Sequence, residues 1–371
     1  MRKILTIIGT RPEAIKLAPV LLELKKHPES FQSTVCVTAQ HRELLDQVLS
    51  WFGITPDFDL DLMEENQQLA QFASRALSGI HEVLGKAGPD VVLVQGDTTT
   101  VMMAALASFY KKIPVGHVEA GLRTNDRYNP FPEEINRRVA GVLATFHFAP
   151  TKRAAQALVS EQVPQENIYI TGNTVVDALL WTIKSPVTLD LGFPLDEKRI
   201  ILVTAHRREN FGEPFISLCL ALRDIAERNP DVRIVYPVHP NPNVREPVGR
   251  ILTGHPRIHL VDPLRYEIFS HLMNRAYLIL TDSGGIQEEA PVLGKPVLVM
   301  RNTTERPEAI EAGTARLVGT DRERIVEETE RLLKSSEHYH HMASVQSPFG
   351  DGRAAERIVE ILRQKTLIAN S

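Results

Sequence analysis

A chain of 371 residues with 43% apolar content is long enough for two domains and can bury a substantial core. Its formal net charge of −4 supplies no basic field, which argues against nucleic acid or an anionic membrane as a partner. The two cysteines, Cys36 and Cys219, make no disulfide framework and point to a reducing cytoplasm, while the absence of a signal-peptide pattern or a membrane-length apolar run argues against export or anchoring.

Short apolar runs at 4–8, 35–38, 91–94, 115–118, 146–149 and 168–171 predict buried strands separated by helix-length stretches. A second series follows at 200–204, 233–237, 258–261, 277–280, 297–300 and 316–318. The runs are β-branched and continuous, the pattern of parallel strands covered on both faces. Two such series predict an α/β protein of two doubly wound, Rossmann-like domains with a cleft between them. The expected division is 1–172 and 173–353, with an amphipathic helix within 354–371 returning to the first domain. A helical pattern over 173–181 runs into a loop that carries Pro186, Gly192 and Pro194. The run His338-Tyr339-His340-His341 reads either as an exposed helix end or as a metal site.

Ligands of doubly wound sheets bind beyond the carboxyl ends of the strands, so the residues that follow each run are the candidates. Gly9-Thr10-Arg11-Pro12-Glu13-Ala14-Ile15-Lys16 follows the first. Thr10 and Glu13 have capping-box spacing and Pro12 suits a first helical turn, which leaves Arg11, and less clearly Lys16, for an anionic ligand. Gln95-Gly96-Asp97-Thr98-Thr99-Thr100 offers helix caps in the threonines, and in Asp97 either a turn residue or a catalytic acid. In His117-Val118-Glu119-Ala120-Gly121-Leu122-Arg123, a carboxylate at a buried strand end needs a partner, and Arg123 is a candidate. Glu133 heads a helix, where acids are ordinary. Asp97, Glu119 and Glu133 together would repel, so at least one tends to keep its proton near neutrality.

In the second series, His206-Arg207-Arg208-Glu209-Asn210 and His239 follow strands. Thr281-Asp282-Ser283-Gly284-Gly285-Ile286-Gln287-Glu288-Glu289 joins a strand to a helix start, where bare N–H groups can meet an anion. Glu289 is placed to hold a ribose hydroxyl, and Pro291 ends or kinks the helix near Ala290. No Walker A, GxGxxG or GxSxG motif is present, which removes the commonest nucleotide hydrolase, hydride-transfer and acyl-transfer readings.

In this order these motifs, with Pro132-Glu133-Glu134, closely resemble the non-hydrolysing bacterial UDP-N-acetylglucosamine 2-epimerases over residues 3–362. The resemblance implies a GT-B-like fold and interconversion of UDP-N-acetylglucosamine with UDP-N-acetylmannosamine, without cofactor or metal, in cell-envelope polysaccharide synthesis. It matches Asp97, Glu119, Glu133 and His206 to catalytic positions. Arg11, Phe269, Ser283, Gly284, Gly285, Glu289 and Arg306 fall at nucleotide-holding positions, with Lys16 beside them. Gln40, Arg207 and His239 match an effector site for a second UDP-N-acetylglucosamine. A homodimer is also implied. The family often has His where Gln95 stands, and Asn-Pro-Tyr where Ser347-Pro348-Phe349 stands; neither departure is expected to touch an assigned residue. A GT-B glycosyltransferase, a non-enzymatic nucleotide-sugar sensor and a hydrolysing epimerase are the alternatives.

Overall fold

A computed structural model describes residues 1–38, 42–64, 67–195 and 198–365. The chain forms two compact units, Met1–Trp181 with Phe349–Ser371, and Thr182–Pro348.

The first unit is built on an all-parallel sheet of β1 (Arg2–Ile8), β2 (Phe31–Val37), β3 (Phe58–Asp59), β4 (Val91–Gln95), β5 (Val115–Val118), β6 (Phe146–Ala149) and β7 (Ile168–Ile170), in the order β3-β2-β1-β4-β5-β6-β7. The second unit repeats the winding with β8 (Arg199–Thr204), β9 (Val232–Pro237), β10 (Ile258–Val261), β11 (Leu278–Thr281), β12 (Val297–Val299) and β13 (Ala315–Leu317), in the order β10-β9-β8-β11-β12-β13. Every predicted run lies on a strand. Only β3 lacks one: it is a two-residue edge with Phe58 half-buried and Asp59 exposed, so it carries no apolar signature.

Continuous burial explains the continuous runs. Leu5, Ile7, Val92 and Val94 pack against Phe72, Ala76 and Ile80 of the helix Leu69–Ala87. Ile201, Val203, Leu278 and Leu280 pack with Leu218, Leu222 and Ile225 of the helix Glu213–Arg228. In each sheet the order reverses once, between β1 and β4 and between β8 and β11. The crevice at such a reversal is where doubly wound sheets bind ligands.

The division between units falls after Trp181 rather than after residue 172, and again after Pro348 rather than after residue 353. The reason is a joint made inside the first unit. The Asp177 carboxylate, on the helix Thr174–Lys184, accepts from the backbone N–H groups of Ala354 (3.2 Å) and Ala355 (2.8 Å) and so caps the helix Ala354–Gln364. Asn173 N donates to the Phe349 carbonyl at 2.7 Å, and Trp181 packs against Trp51 and Phe52 with ring centroids 6.0 and 4.9 Å away. Residues 366–371 of the expected returning segment lie outside the described residues.

The histidine run lies on the exposed helix Ser336–Ala343. There Tyr339 stacks on Tyr277 at 4.3 Å and donates to its carbonyl, while His338 and His340 bond to Ser335 and Ser336. Among the described residues no group of three or more His, Cys, Asp or Glu is placed to hold a metal ion, and no helix is long and apolar enough to cross a membrane.

Candidate active site

In the first unit, the ends of β1, β4 and β5 bring acids and bases together. Glu119 is 7% exposed and follows β5 with a left-handed backbone, φ +65°, a conformation that costs a non-glycine residue about 1–3 kcal/mol. The site holds it by its side chain. The Lys16 ammonium lies 2.5 Å from Glu119 Oε2, and the Gln95 amide donates to the same oxygen. Arg123, the expected partner, is taken elsewhere: its guanidinium is bidentate on Glu161 at 2.8 and 2.7 Å. Gln95, expected to stand clear of every assigned residue, is 3% exposed and touches Glu119 directly.

Asp97 is reached by the helix Glu133–Leu143: Arg137 Nη2 donates to its carboxylate at 2.6 Å and Asn136 to its carbonyl at 2.9 Å. Burial raises the Asp97 pKa, the Arg137 charge opposes that, and the Glu119 charge raises it further. Two carboxylates, each with its own cation, thus lie within each other's field. Glu133 lies three and four positions before Asn136 and Arg137 and shares their helix face. Its Oε2 is buried and has no hydrogen-bond partner among the described residues. The adjacent Glu134 is structural, since it accepts from the N–H groups of Thr124 (3.0 Å) and Asn125 (3.1 Å) and pairs with Arg138.

The frame of this cluster depends on close approach. A Cβ on Gly9 would stand 2.4 Å from Thr100 Oγ1, so only glycine lets the turn after β1 meet the helix Thr99–Tyr110. Arg11 opens the helix Arg11–Lys25. The expected capping box is not made: Thr10 makes no capping bond, and the Glu13 carboxylate accepts from Gly9 N (2.6 Å) and Thr10 Oγ1 (3.0 Å) instead of the Thr10 backbone N–H. His117, 1% exposed, donates from Nε2 to the Gly96 carbonyl at 2.7 Å and fixes the turn into Asp97.

In the second unit, Asp282 is the anchor. Fully buried, it accepts on Oδ2 from the N–H groups of His206 and Arg207, both at 2.8 Å, and from Asn210 at 3.3 Å. It ties the loop after β8 to the end of β11 across the reversal point. A buried carboxylate directly after an apolar strand was the available sequence signal for this role. The His206 ring stacks on His239 with centroids 5.1 Å apart. Its pKa is lowered by desolvation; Asp282 opposes this, and His239 and Arg207 add to it.

Beyond β11, the helix Gly284–Glu289 is followed directly by a tighter 3-10 turn, Ala290–Leu293, as Pro291 requires. Ser283 makes no capping bond. Around Gly284, a Cβ would lie 3.5 Å from Glu305 Oε2, 3.7 Å from Arg207 Nη2 and 3.9 Å from Arg306 Cζ. Around Gly285, it would lie 3.9 Å from both Glu289 Oε2 and Ser283 Oγ. Bare backbone is thus faced at Gly284 by the guanidiniums of Arg207 and Arg306 with the Glu305 carboxylate between them, and at Gly285 by the Glu289 carboxylate. Arg306 is held by Glu288. Phe269 is half-buried on the helix Tyr266–Arg275. Gln40 lies outside the described residues.

One Rossmann-like unit with paired acids and a second with an arginine-ringed glycine turn define a nucleotide-dependent enzyme of the two-unit class. Residues 22–363 match the family described as UDP-N-acetylglucosamine 2-epimerase. A relative of that name from Escherichia coli O157:H7 is 56% identical, with 98% of this chain and 99% of that protein covered. A crystal structure of the putative UDP-N-acetylglucosamine 2-epimerase of Listeria monocytogenes is similar at TM-score 0.91 and 51% identity, covering 97% of this chain and 95% of that one. The Neisseria meningitidis enzyme, solved bound to UDP-GlcNAc, gives TM-score 0.90 and 50% identity over 98% and 100%. The chain belongs to the UDP-N-acetylglucosamine 2-epimerase family; it is an enzyme, with the GT-B-like fold of those structures.

Burial draws the His117 pKa from 6.5 down to about 4, so the folded chain holds it neutral while the unfolded chain would protonate it in between. Its contribution is complete above pH 6.5 and is lost as pH falls toward 4. Between pH 7 and pH 5 that amounts to about 2 kcal/mol. His117→Gln should start less stable at pH 7 yet lose about 2 kcal/mol less than the native chain on acidification to pH 5, measured by urea unfolding. Parallel losses in the two proteins would contradict this.

Proposed function

We propose that the protein interconverts UDP-N-acetylglucosamine and UDP-N-acetylmannosamine by elimination and re-addition. A base takes the C2 proton while the C1–O bond breaks; UDP leaves with the bonding pair, and a C1=C2 double bond forms in a bound 2-acetamidoglucal. UDP then returns to C1 while the opposite face of C2 takes a proton. The sequence of steps is redox-neutral, and no group is lost.

The observation that carries this reading is the pairing of Asp97 with Glu119. Burial raises the Asp97 pKa against the pull of Arg137, while the neighbouring Glu119 is held in a salt bridge by Lys16, and two acids in such different environments suit a donor and an acceptor. Glu133, with an oxygen unpartnered among the described residues, is the third member. In the second unit the Ser283-Gly284-Gly285 turn with Arg306 binds the diphosphate, His206 stabilises it as it leaves, Glu289 takes the ribose hydroxyls, and Phe269 lies on the uracil; in the first unit Arg11 is kept for an anionic ligand. Six residues make too short a helix for a full dipole, so the donors are the N–H groups and the guanidiniums.

Each of Asp97→Asn, Glu119→Gln and Glu133→Gln should slow solvent-deuterium incorporation at C2, followed by NMR, by about 10²-fold or more, with UDP-N-acetylmannosamine and no free sugar formed by the native enzyme. Near-native exchange in all three would remove the carboxylates from the proton steps.

A second UDP-N-acetylglucosamine bound at Arg207 and His239 activates the enzyme. Supporting this, Arg207 Nε has no partner among the described residues, and His239 is exposed yet stacked on His206. An effector on His239 therefore presses directly on a residue at the diphosphate. With UDP-N-acetylmannosamine as substrate, a trace of UDP-N-acetylglucosamine should raise the initial rate, and less so in His239→Ala. A rate indifferent to the added nucleotide sugar would exclude the effector.

A further inference from the structure

Glu13 is an acid that the proposed reaction does not use. It lies in the first turn of the helix Arg11–Lys25 and is 2% exposed. A carboxyl in that position could serve as a plain helix-start residue, but its partners come from two different turns. Oε2 accepts from Gly9 N–H at 2.6 Å and Oε1 from Thr10 Oγ1 at 3.0 Å, both in the turn after β1. The Thr98 side chain, in the turn after β4, is close enough to favour the ionised form of Glu13. Glu13 thus bridges the two chain ends that flank the reversal of strand order, and one residue before Thr98 stands Asp97.

The partner set suits two charge states. The Gly9 N–H can only donate, and it donates to the carboxylate and to the carboxylic acid alike. The hydroxyls of Thr10 and Thr98 can rotate, giving a hydrogen bond to the ionised form or taking one from the protonated form. Protonation of Glu13 therefore strands no buried polar atom, which is unusual for an acid at this depth. The charge it faces is that of Asp97. Beyond Asp97 lie Arg137 from the helix Glu133–Leu143, Glu119 from the end of β5, and Lys16 from Glu13's own helix.

We propose that Glu13 is a positioning residue for Asp97: it clamps the turns after β1 and β4 together, and its own charge state sets how readily Asp97 holds a proton. Burial pushes the Glu13 pKa up to about 7, against the pull of Gly9, Thr98 and Thr10, and the Asp97 charge adds to the rise. The two acids are therefore linked where the enzyme works, since each charge that forms makes the other harder to form. The inference rests on the role proposed above for Asp97.

Glu13→Gln keeps the shape and hydrogen bonds of the protonated form and cannot ionise. With the Glu13 charge gone, Asp97 should ionise more easily. The kcat/KM profile for C2 exchange between pH 5 and 9 should move to lower pH by about half a unit or more, with KM for UDP-N-acetylglucosamine changed by less than about twofold. Glu13→Asp, which keeps the charge but shortens the reach, should retain the native profile at reduced kcat. Thr10→Val removes one donor to Glu13 and should move the profile in the same direction as Glu13→Gln, by less; it carries the test if the Gln variant does not fold. A merely structural Glu13 would lower activity equally at every pH, so a native profile in Glu13→Gln, or in Thr10→Val if it stands alone, overturns the proposal. Failure of the underlying reading looks different: the native enzyme itself would then exchange no C2 hydrogen at any pH.

Discussion

A carboxylate buried at the end of a parallel strand has to be paired, and the pairing of Glu119 organises the first unit. An uncompensated buried charge costs several kcal/mol, and removing one partner from a buried pair typically costs about 3–5 kcal/mol. Glu119 meets that constraint with Lys16 from the helix after β1 and Gln95 from the end of β4, so three elements of the sheet are tied at one oxygen. The strained backbone of Glu119 is tolerable only because these partners fix the side chain. Gly9 and His117 serve the same end, one by letting the turns approach and the other by holding the turn into Asp97.

The second unit uses the same winding for different chemistry. Its buried carboxylate, Asp282, faces backbone N–H groups instead of a lysine and uses Oδ2 to hold the loop after β8. What surrounds the glycine turn beyond it is arginine and carboxylate. Under the proposed function one unit moves protons and the other holds negative charge. An elimination needs both at once, because the sugar must lose a proton and a diphosphate in the same event.

The strands were legible in the sequence because both faces of each sheet are covered, which leaves unbroken apolar runs. β3 was not, since a two-residue edge with an exposed Asp59 has no pattern to read. Local motifs marked the turns that follow the strands, and the stop at Pro291 followed from its missing N–H. Long-range partners were not legible. Arg123 lies four residues from Glu119 in sequence yet is claimed by Glu161, while the true partners come from Lys16 and Gln95 on other elements. Spacing also made Glu13 look like half of a capping box, and nothing in the spacing indicated that it is buried within the field of Asp97. The unit boundary was misplaced for the same kind of reason: the Asp177 cap on Ala354 and Ala355 joins residues distant in the chain.

The account turns on UDP leaving the sugar and coming back. Substrate labelled with ¹⁸O in the bridge between C1 and the β-phosphorus tests this directly, because the terminal oxygens of the departed diphosphate become equivalent on rotation. Label should spread from the bridge to the non-bridging β-positions as epimerisation proceeds, read by the isotope shifts of the ³¹P signal. Complete epimerisation with the label still in the bridge would contradict the account.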